Sequence, residues 1–451
     1  MEKLFGTDGI RGLANKYPMT AEMAERVGRA VASIFRDGED RPKIVIGRDT
    51  RESGEMLESA IVSGVRSVAG EPYLTGVLPT PGVAFIASSM KANAGIVISA
   101  SHNPYHDNGI KVFGGDGYKL SDTQEAEIEN RVLADSKRAL DQNAAEPGRV
   151  RNVENAPANY IAFLKGALQT EKPLDGLKVV LDCSNGATCR VAPQLFLELG
   201  ADVEALAVHP NGKNINHRCG SEHPQDLIKK VTEKKATVGL AFDGDGDRLI
   251  AVDETGNILS GDHILAICAW AMKQNKTLKN SIVVSTVMSN MGLGVALKKM
   301  GIRHATSQVG DRYVMQKMIA AGAVLGGEDS GHMIFSDYHT TGDGILTALK
   351  LIEAMQMENK PLSELSAMMP VYPQVLINVD VQTKPDIKTV PAIMEIIQSV
   401  ESEMGNKGRV LVRYSGTQPL CRVMVEGPSK ADTRRYCRKI ADIIKANVGL
   451  E

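Results

Sequence analysis

Apolar residues along this chain alternate between short β-branched runs and longer stretches with helical spacing, and their order predicts the architecture. Three segments repeat one pattern: a β-branched run, a Gly- or Ser-rich turn, a helix-period stretch, a glycine, and a second short apolar run. They begin at Lys43-Ile-Val-Ile-Gly47, Lys178-Val-Val-Leu-Asp182 and Ser281-Ile-Val-Val-Ser285. The helical stretches end near Gly70, Gly200 and Gly301, where a left-handed C-cap is expected before the next strand. The spacing therefore predicts one α/β unit used three times. The tail differs. Val371 to Asp380 and Arg409 to Arg413 read as strands, and Pro391 to Glu403 and Ala431 to Asn447 as helices, which predicts a smaller α+β domain.

Polar or Pro-containing stretches near Asn155, Asp253 to Gly256 and Met369 to Tyr372 mark the expected boundaries. They give α/β domains over 1–154, 155–254 and 255–368 and the α+β domain over 369–451. The acidic and amide-rich stretch from Ala134 to Arg149 reads as a helix end and surface loop without chemistry. A length of 451 residues exceeds what one hydrophobic core serves and fits a multidomain chain.

Composition narrows the function. Apolar residues make up 43% and charged residues 24%, ordinary for a globular protein. A formal net charge of −2 leaves no broad basic surface, so no nucleic-acid partner is expected, while a small basic cleft for an anionic metabolite is compatible with it. The six cysteines are scattered without a C-x-x-C pair and read as reduced thiols. The start lacks the basic and apolar stretches of a signal peptide, and no apolar run reaches about 18 residues. A cytoplasmic protein with no membrane partner is expected; a homodimer is left open.

The sharpest local signal is Phe242-Asp-Gly-Asp-Gly-Asp-Arg-Leu249. Glycines permit the curvature that turns Asp243, Asp245 and Asp247 toward one point, and hard carboxylate oxygens suit Mg²⁺. An EF-hand competes, because Glu254 stands at its twelfth position, but Arg248 occupies the place that needs glycine. The flanks, Ala236 to Phe242 and Leu249 to Val252, read as strands rather than helices. A solvated acidic turn is the blander alternative. Gly95-Ile-Val-Ile-Ser-Ala-Ser-His-Asn-Pro104 reads as a buried strand that presents Ser101 at its mouth, with Lys111 supplying a cation soon after. Such a serine alone often only bonds its own turn. Two further loops would suit a sugar phosphate. Gly327-Glu-Asp-Ser-Gly-His332 offers sugar hydroxyls a carboxylate, a hydroxyl and an imidazole. Arg413-Tyr-Ser-Gly-Thr417 offers a phosphate a guanidinium, hydroxyls and backbone amides.

Taken together these motifs resemble the α-D-phosphohexomutase family, most closely its phosphoglucosamine mutase branch. The resemblance runs from Phe5-Gly-Thr-Asp-Gly-Ile-Arg-Gly12 to Arg422-Val-Met-Val-Glu426, with Thr340-Thr-Gly-Asp-Gly344 favouring that branch. It implies four domains around a central cleft and interconversion of glucosamine 6-phosphate and glucosamine 1-phosphate. It also implies a phosphorylated Ser101, Mg²⁺ on Asp243, Asp245, Asp247 and the Ser101 phosphate, and glucosamine 1,6-bisphosphate as intermediate and activator. Sugar contacts are implied at Glu328 and Ser330, and phosphate contacts at Arg413, Ser415, Gly416, Thr417 and Arg422. Three departures from the family pattern, Gln418, Tyr414 and Asp329, bear on affinity or sugar preference rather than on the reaction.

A phosphoserine and three aspartates together exceed the charge of one Mg²⁺. That excess accounts for Arg11, Lys111 and Arg248 within the motifs. Lys111 and His332 are the candidates for acid and base, in either order. A shared metal site requires the strand ends at Ser99 and Phe242 to converge from different domains. The rivals are a glucose or mannose phosphate mutase of the same family, an aspartyl phosphatase that would need neither the serine loop nor the distal loop, and a sugar-phosphate-binding pseudoenzyme.

Overall fold

A computed structural model of the chain describes residues 3–6, 8–36, 41–134, 146–168, 173–415 and 419–450. These form two compact units, Met1–Met288 with Gly301–Met368, and Ser289–Met300 with Met369–Glu451. The predicted loop at 134–149 falls largely outside the described residues, as do Gly416 and Thr417.

The first segment contains β1 (Ile10–Leu13), α1 (Ala21–Ile34), β2 (Lys43–Arg48), α2 (Gly54–Ser67), β3 (Glu71–Val77), α3 (Thr80–Ser89), β4 (Ala94–Ile98), β5 (Asp107–Gly114), α4 (Asp122–Ala134) and β6 (Arg151–Asn152). Its sheet runs β1-β5-β4-β2-β3-β6. There follow α5 (Ala156–Gly166), β7 (Lys178–Asp182), α6 (Val191–Glu198), β8 (Asp202–Leu206), α7 (Gln225–Lys234), β9 (Val238–Phe242), β10 (Leu249–Asp253) and β11 (Ile258–Leu259), with sheet order β11-β10-β9-β7-β8. The third group has α8 (Gly261–Gln274), β12 (Ile282–Thr286), α9 (Met291–Lys299), β13 (Arg303–Ser307), α10 (Asp311–Ala321), β14 (Leu325–Gly327), β15 (Met333–Phe335), α11 (Gly344–Glu358) and α12 (Leu362–Ser366), with sheet order β13-β12-β14-β15.

The predicted repeat is present. Its two strands pair in parallel each time, β2 with β3, β7 with β8 and β12 with β13. The central strands β4, β7, β9 and β12 are buried almost throughout, which is why they read as continuous β-branched runs rather than alternating ones. In every repeat one more parallel strand is followed by an antiparallel one, giving the pairs β4–β5, β9–β10 and β14–β15. Three turns therefore occupy the same topological place. They are the turns that carry Ser101, the aspartates, and Glu328 to His332.

One expectation about the repeat needs correction. Gly200 and Gly301 take the left-handed conformation, with φ of 97° and 65°, but in the first repeat Ala69 does so (φ 61°) rather than Gly70. Gly70 is needed for space, since a Cβ there would lie 2.9 Å from the Val65 carbonyl oxygen. The helix of the third repeat, α9, groups with the C-terminal unit rather than with the strands on either side of it.

The C-terminal unit adds β16 (Gln374–Asp380), α13 (Pro391–Met404), β17 (Arg409–Tyr414), β18 (Leu420–Glu426) and α14 (Lys430–Val448). Its antiparallel sheet runs β16-β18-β17. Alternate residues of β16 are exposed, as expected for a sheet covered on one face. The covered face packs Val423 and Val425 with Val400, Cys437, Ile440 and Ile444 of the two helices. The first of these strands starts at Gln374 rather than Val371, which is exposed.

Candidate functional site

Ser101 lies just past the end of β4, fully buried, with φ of 53°. Its Oγ donates to Asp243 Oδ2 at 2.5 Å, so the strand ends of the first two sheets converge as a shared site requires. Its own amide donates to Ser99 Oγ at 2.9 Å. The aspartate turn closes the β9–β10 hairpin, where Phe242 pairs with Leu249, which excludes an EF-hand. One ligand oxygen from each of Asp243, Asp245 and Asp247 falls within 4.8 Å of the other two, and all three residues are buried. Neighbouring segments cradle this turn. Thr80, at the start of α3, donates through Oγ1 to Asp245 Oδ2 at 2.6 Å and through its amide to the Asp245 carbonyl at 2.9 Å. Gly344, at the start of α11, donates to the Gly246 carbonyl at 3.0 Å.

The third turn is laid against the second. Leu249 N donates to the Gly331 carbonyl at 3.1 Å, and Arg248 bridges to His332. His332 Nδ1 stands 3.6 Å from Asp247 Oδ2, and its Nε2 stands 3.8 Å from Asp311 Oδ2. Glu328 accepts from Gly310 N at 3.0 Å. Ser330 Oγ is buried and has no hydrogen-bond partner among the described residues.

Cations meet these carboxylates. Lys111 on β5 is buried, 2.8 Å from Asp245, 3.3 Å from Asp247 and 3.1 Å from Asp8. Burial pulls its pKa down, but Asp245, Asp8 and Asp247 prevail and hold the ammonium well above the ordinary lysine value. Burial likewise opposes charge on His332, and Asp247 overcomes it, so the imidazole is raised. Arg248 Nε lies 3.8 Å from Asp247 Oδ1, and Arg11 pairs with Asp8. Burial, then Asp247 and Asp245, push the Asp243 carboxyl well above the usual carboxylate range.

The three carboxylates fit a small, hard divalent cation. Asp245 Oδ1 and Asp247 Oδ1 are buried without a hydrogen-bond partner among the described residues. Lys111 and Arg248 offset only part of the charge of the three carboxylates, and a double charge at that point would satisfy the remaining oxygens.

The C-terminal unit holds a second cluster. Arg413 and Arg422 are direct partners across β17 and β18, and the Nε of each is buried with no partner among the described residues. Like charges placed opposite one another destabilise a sheet. Burial and Arg422 together push Arg413 below its ordinary value. An anion would relieve both effects. Ser415 is buried at the end of this strand, and its carbonyl accepts from Lys384 at 2.7 Å.

Several residues at the site carry little signal in the sequence. Asp8 stands in the Phe5–Gly12 motif beside Arg11, but its pairing with Lys111 and Lys119, about a hundred residues on, is not visible there. Arg51 and Asp49 follow β2, where Gly47-Arg-Asp-Thr-Arg51 ends a buried strand in a polar cluster, the signal already used for Ser101. Thr80, Asn216 and Asp311 lie at helix starts or in loops that no periodicity singles out.

Sequence models of four phosphoglucomutase/phosphomannomutase domains match this chain. Alpha/beta/alpha domains I, II and III match residues 2–139, 158–256 and 260–372, and the C-terminal domain matches 376–443. The chain belongs to the phosphoglucomutase/phosphomannomutase family. Among family members it is 58% identical to the phosphoglucosamine mutase of Syntrophobacter fumaroxidans and 56% identical to that of Syntrophus aciditrophicus, with 100% of both chains covered in each case. Among solved structures, a phosphoglucomutase/phosphomannomutase family protein from Burkholderia thailandensis superposes with a TM-score of 0.81 at 25% identity, covering 99% of each chain. The N-acetylphosphoglucosamine mutase of Aspergillus fumigatus, solved with GlcNAc-6P and magnesium, shares the fold at a TM-score of 0.66 and 16% identity, covering 98% of this chain and 95% of its own. No helix among the described residues is long and apolar enough to cross a membrane.

Proposed function

We propose that this chain is a phosphoglucosamine mutase that interconverts glucosamine 6-phosphate and glucosamine 1-phosphate through a phosphoserine at Ser101. The observation that carries the chemistry is the 2.5 Å contact between Ser101 Oγ and Asp243 inside a buried three-aspartate turn. The amino-sugar substrate is supported by full-length relatives at 50–58% identity, all phosphoglucosamine mutases.

In the forward half-reaction the bond between phosphorus and Ser101 Oγ breaks as one forms to the free sugar hydroxyl oxygen. The hydroxyl proton leaves to a base, and Ser101 Oγ takes a proton. The second half-reaction returns the other phosphate of the bisphosphate to Ser101, regenerating the phosphoserine. Asp243, Asp245 and Asp247 would hold Mg²⁺, which when bound neutralises charge on the transferring phosphoryl group. Lys111 is held as an ammonium between Asp8, Asp245 and Asp247, and His332 is held beside Asp247; these are the proton carriers and charge stabilisers. Glu328 and the unpartnered Ser330 hydroxyl serve sugar hydroxyls. The Arg413–Arg422 pair is the second anion site, and its planar forks suit a phosphate dianion better than point charges would. All six cysteines are free thiols, which supports a reducing compartment such as the cytoplasm.

Assay of the purified protein against glucosamine, glucose and mannose 6-phosphates tests the substrate. The highest kcat/KM is expected for the glucosamine ester. Equal or better turnover of the glucose or mannose ester would assign the chain to that activity instead.

A further inference from the structure

Arg51 is fully buried three residues beyond the end of β2, and all five of its guanidinium N–H groups are used. Nε donates to Asp49 at 2.8 Å, one terminal nitrogen to the carbonyls of Pro104 and of Asp107 (3.0 Å), and the other to the carbonyls of Ser101 (3.0 Å) and Asn103 (2.8 Å). A second donor reaches the same loop from the segment between β8 and α7. The Asn216 side-chain amide donates to the Ser101 and Asn103 carbonyls at 2.8 and 2.9 Å. Asp49 in turn accepts from Ser99 Oγ at 2.6 Å, and Ser99 Oγ accepts the Ser101 amide. Both backbone polar groups of Ser101 are therefore fixed by this network, which leaves its side chain directed at Asp243.

We infer that Arg51 is a positioning residue that clamps the Ser101 loop in its left-handed conformation, so that Oγ is held at the phosphoryl-transfer point. The inference rests on the phosphoserine reading. A left-handed backbone costs a non-glycine residue free energy and persists only where its surroundings dictate it. Four loop carbonyls converging on one planar cation supply that constraint. Lysine cannot replace it, since a point charge with three donors cannot span the four oxygens and Asp49 together.

The test is Arg51→Lys, measured beside the parent for kcat, for KM, for Mg²⁺ affinity of the unphosphorylated protein, and for the rate at which glucose 1,6-bisphosphate phosphorylates Ser101. A loss of positioning on the order of 1 Å lowers kcat and the phosphorylation rate about 100-fold. KM and Mg²⁺ affinity stay within about threefold, because the sugar, phosphate and aspartate groups lie on other loops. If Arg51→Lys does not fold, Asn216→Ala removes only the second donor to the same carbonyls, and the same kcat-selective loss, about tenfold, is expected. Parent-like phosphorylation and kcat in the folded variant, or a loss spread equally over KM and metal affinity, overturns the inference. A parent that takes no phosphate on Ser101 overturns the phosphoserine reading as well, which separates the two failures.

Discussion

Ser101 adopts a backbone conformation that costs an L-residue about 1–3 kcal/mol, and the chain tolerates it because the loop around it is over-determined. Strain of this kind is not visible in a sequence. The Ser-Ala-Ser-His-Asn-Pro run indicates a polar turn after a buried strand but not the sign of φ, and a glycine at 101 would have been the only local hint. The aspartate turn was more legible, since glycines between carboxylates specify both curvature and ligand type. Its energetic state was not, because that depends on Lys111, Thr80 and His332, which are distant in sequence. Asp245→Asn removes a carboxylate oxygen that has no hydrogen-bond partner among the described residues. Mg²⁺ affinity is expected to fall at least tenfold and turnover on the order of 100-fold, and thermal stability of the metal-free protein is expected to fall as the buried Lys111 ammonium loses its partner at 2.8 Å. Calorimetric titration with Mg²⁺ checks this; unchanged affinity would make the turn a structural feature only.

At the level of elements, the parallel strands were legible because both faces are buried and leave β-branched runs. The antiparallel strand that follows each functional turn was legible in β10, read as Leu249 to Val252, but not in β15, which is short and separated from its neighbour only by the functional turn. Once those strands are seen, Ser101, the aspartates and Glu328 to His332 fall at one repeated position, a regularity hidden by unrelated turn sequences. Gly331 shows how tightly the turns are set together. Its φ is 92°, and a Cβ there would lie 2.1 Å from the Leu249 carbonyl oxygen. Gly331→Ala therefore strains its own backbone and pushes the third turn off the second. A destabilisation of about 2–4 kcal/mol is expected from a denaturant titration, with activity reduced even at temperatures where the variant is folded. A change below about 0.5 kcal/mol would mean that the two turns are not held against one another.

Across the whole molecule, the four motifs stand in the family's order along the sequence, and that order alone is enough to join them into one reading. What it could not contain was which residues hold the motifs in place. Arg51 and Asn216 bond mainly to backbone carbonyls, and Asp49 acts through Arg51 and Ser99, so no pattern of side-chain types announces them. The account stands or falls on phosphate leaving Ser101 for the sugar. Enzyme labelled at Ser101 from sugar bisphosphate, mixed with unlabelled glucosamine 6-phosphate and quenched within a single turnover, measures that transfer directly. The label is expected to leave the serine and appear in sugar bisphosphate at a rate no slower than kcat. Label that stays on Ser101 while glucosamine 1-phosphate accumulates would contradict the account.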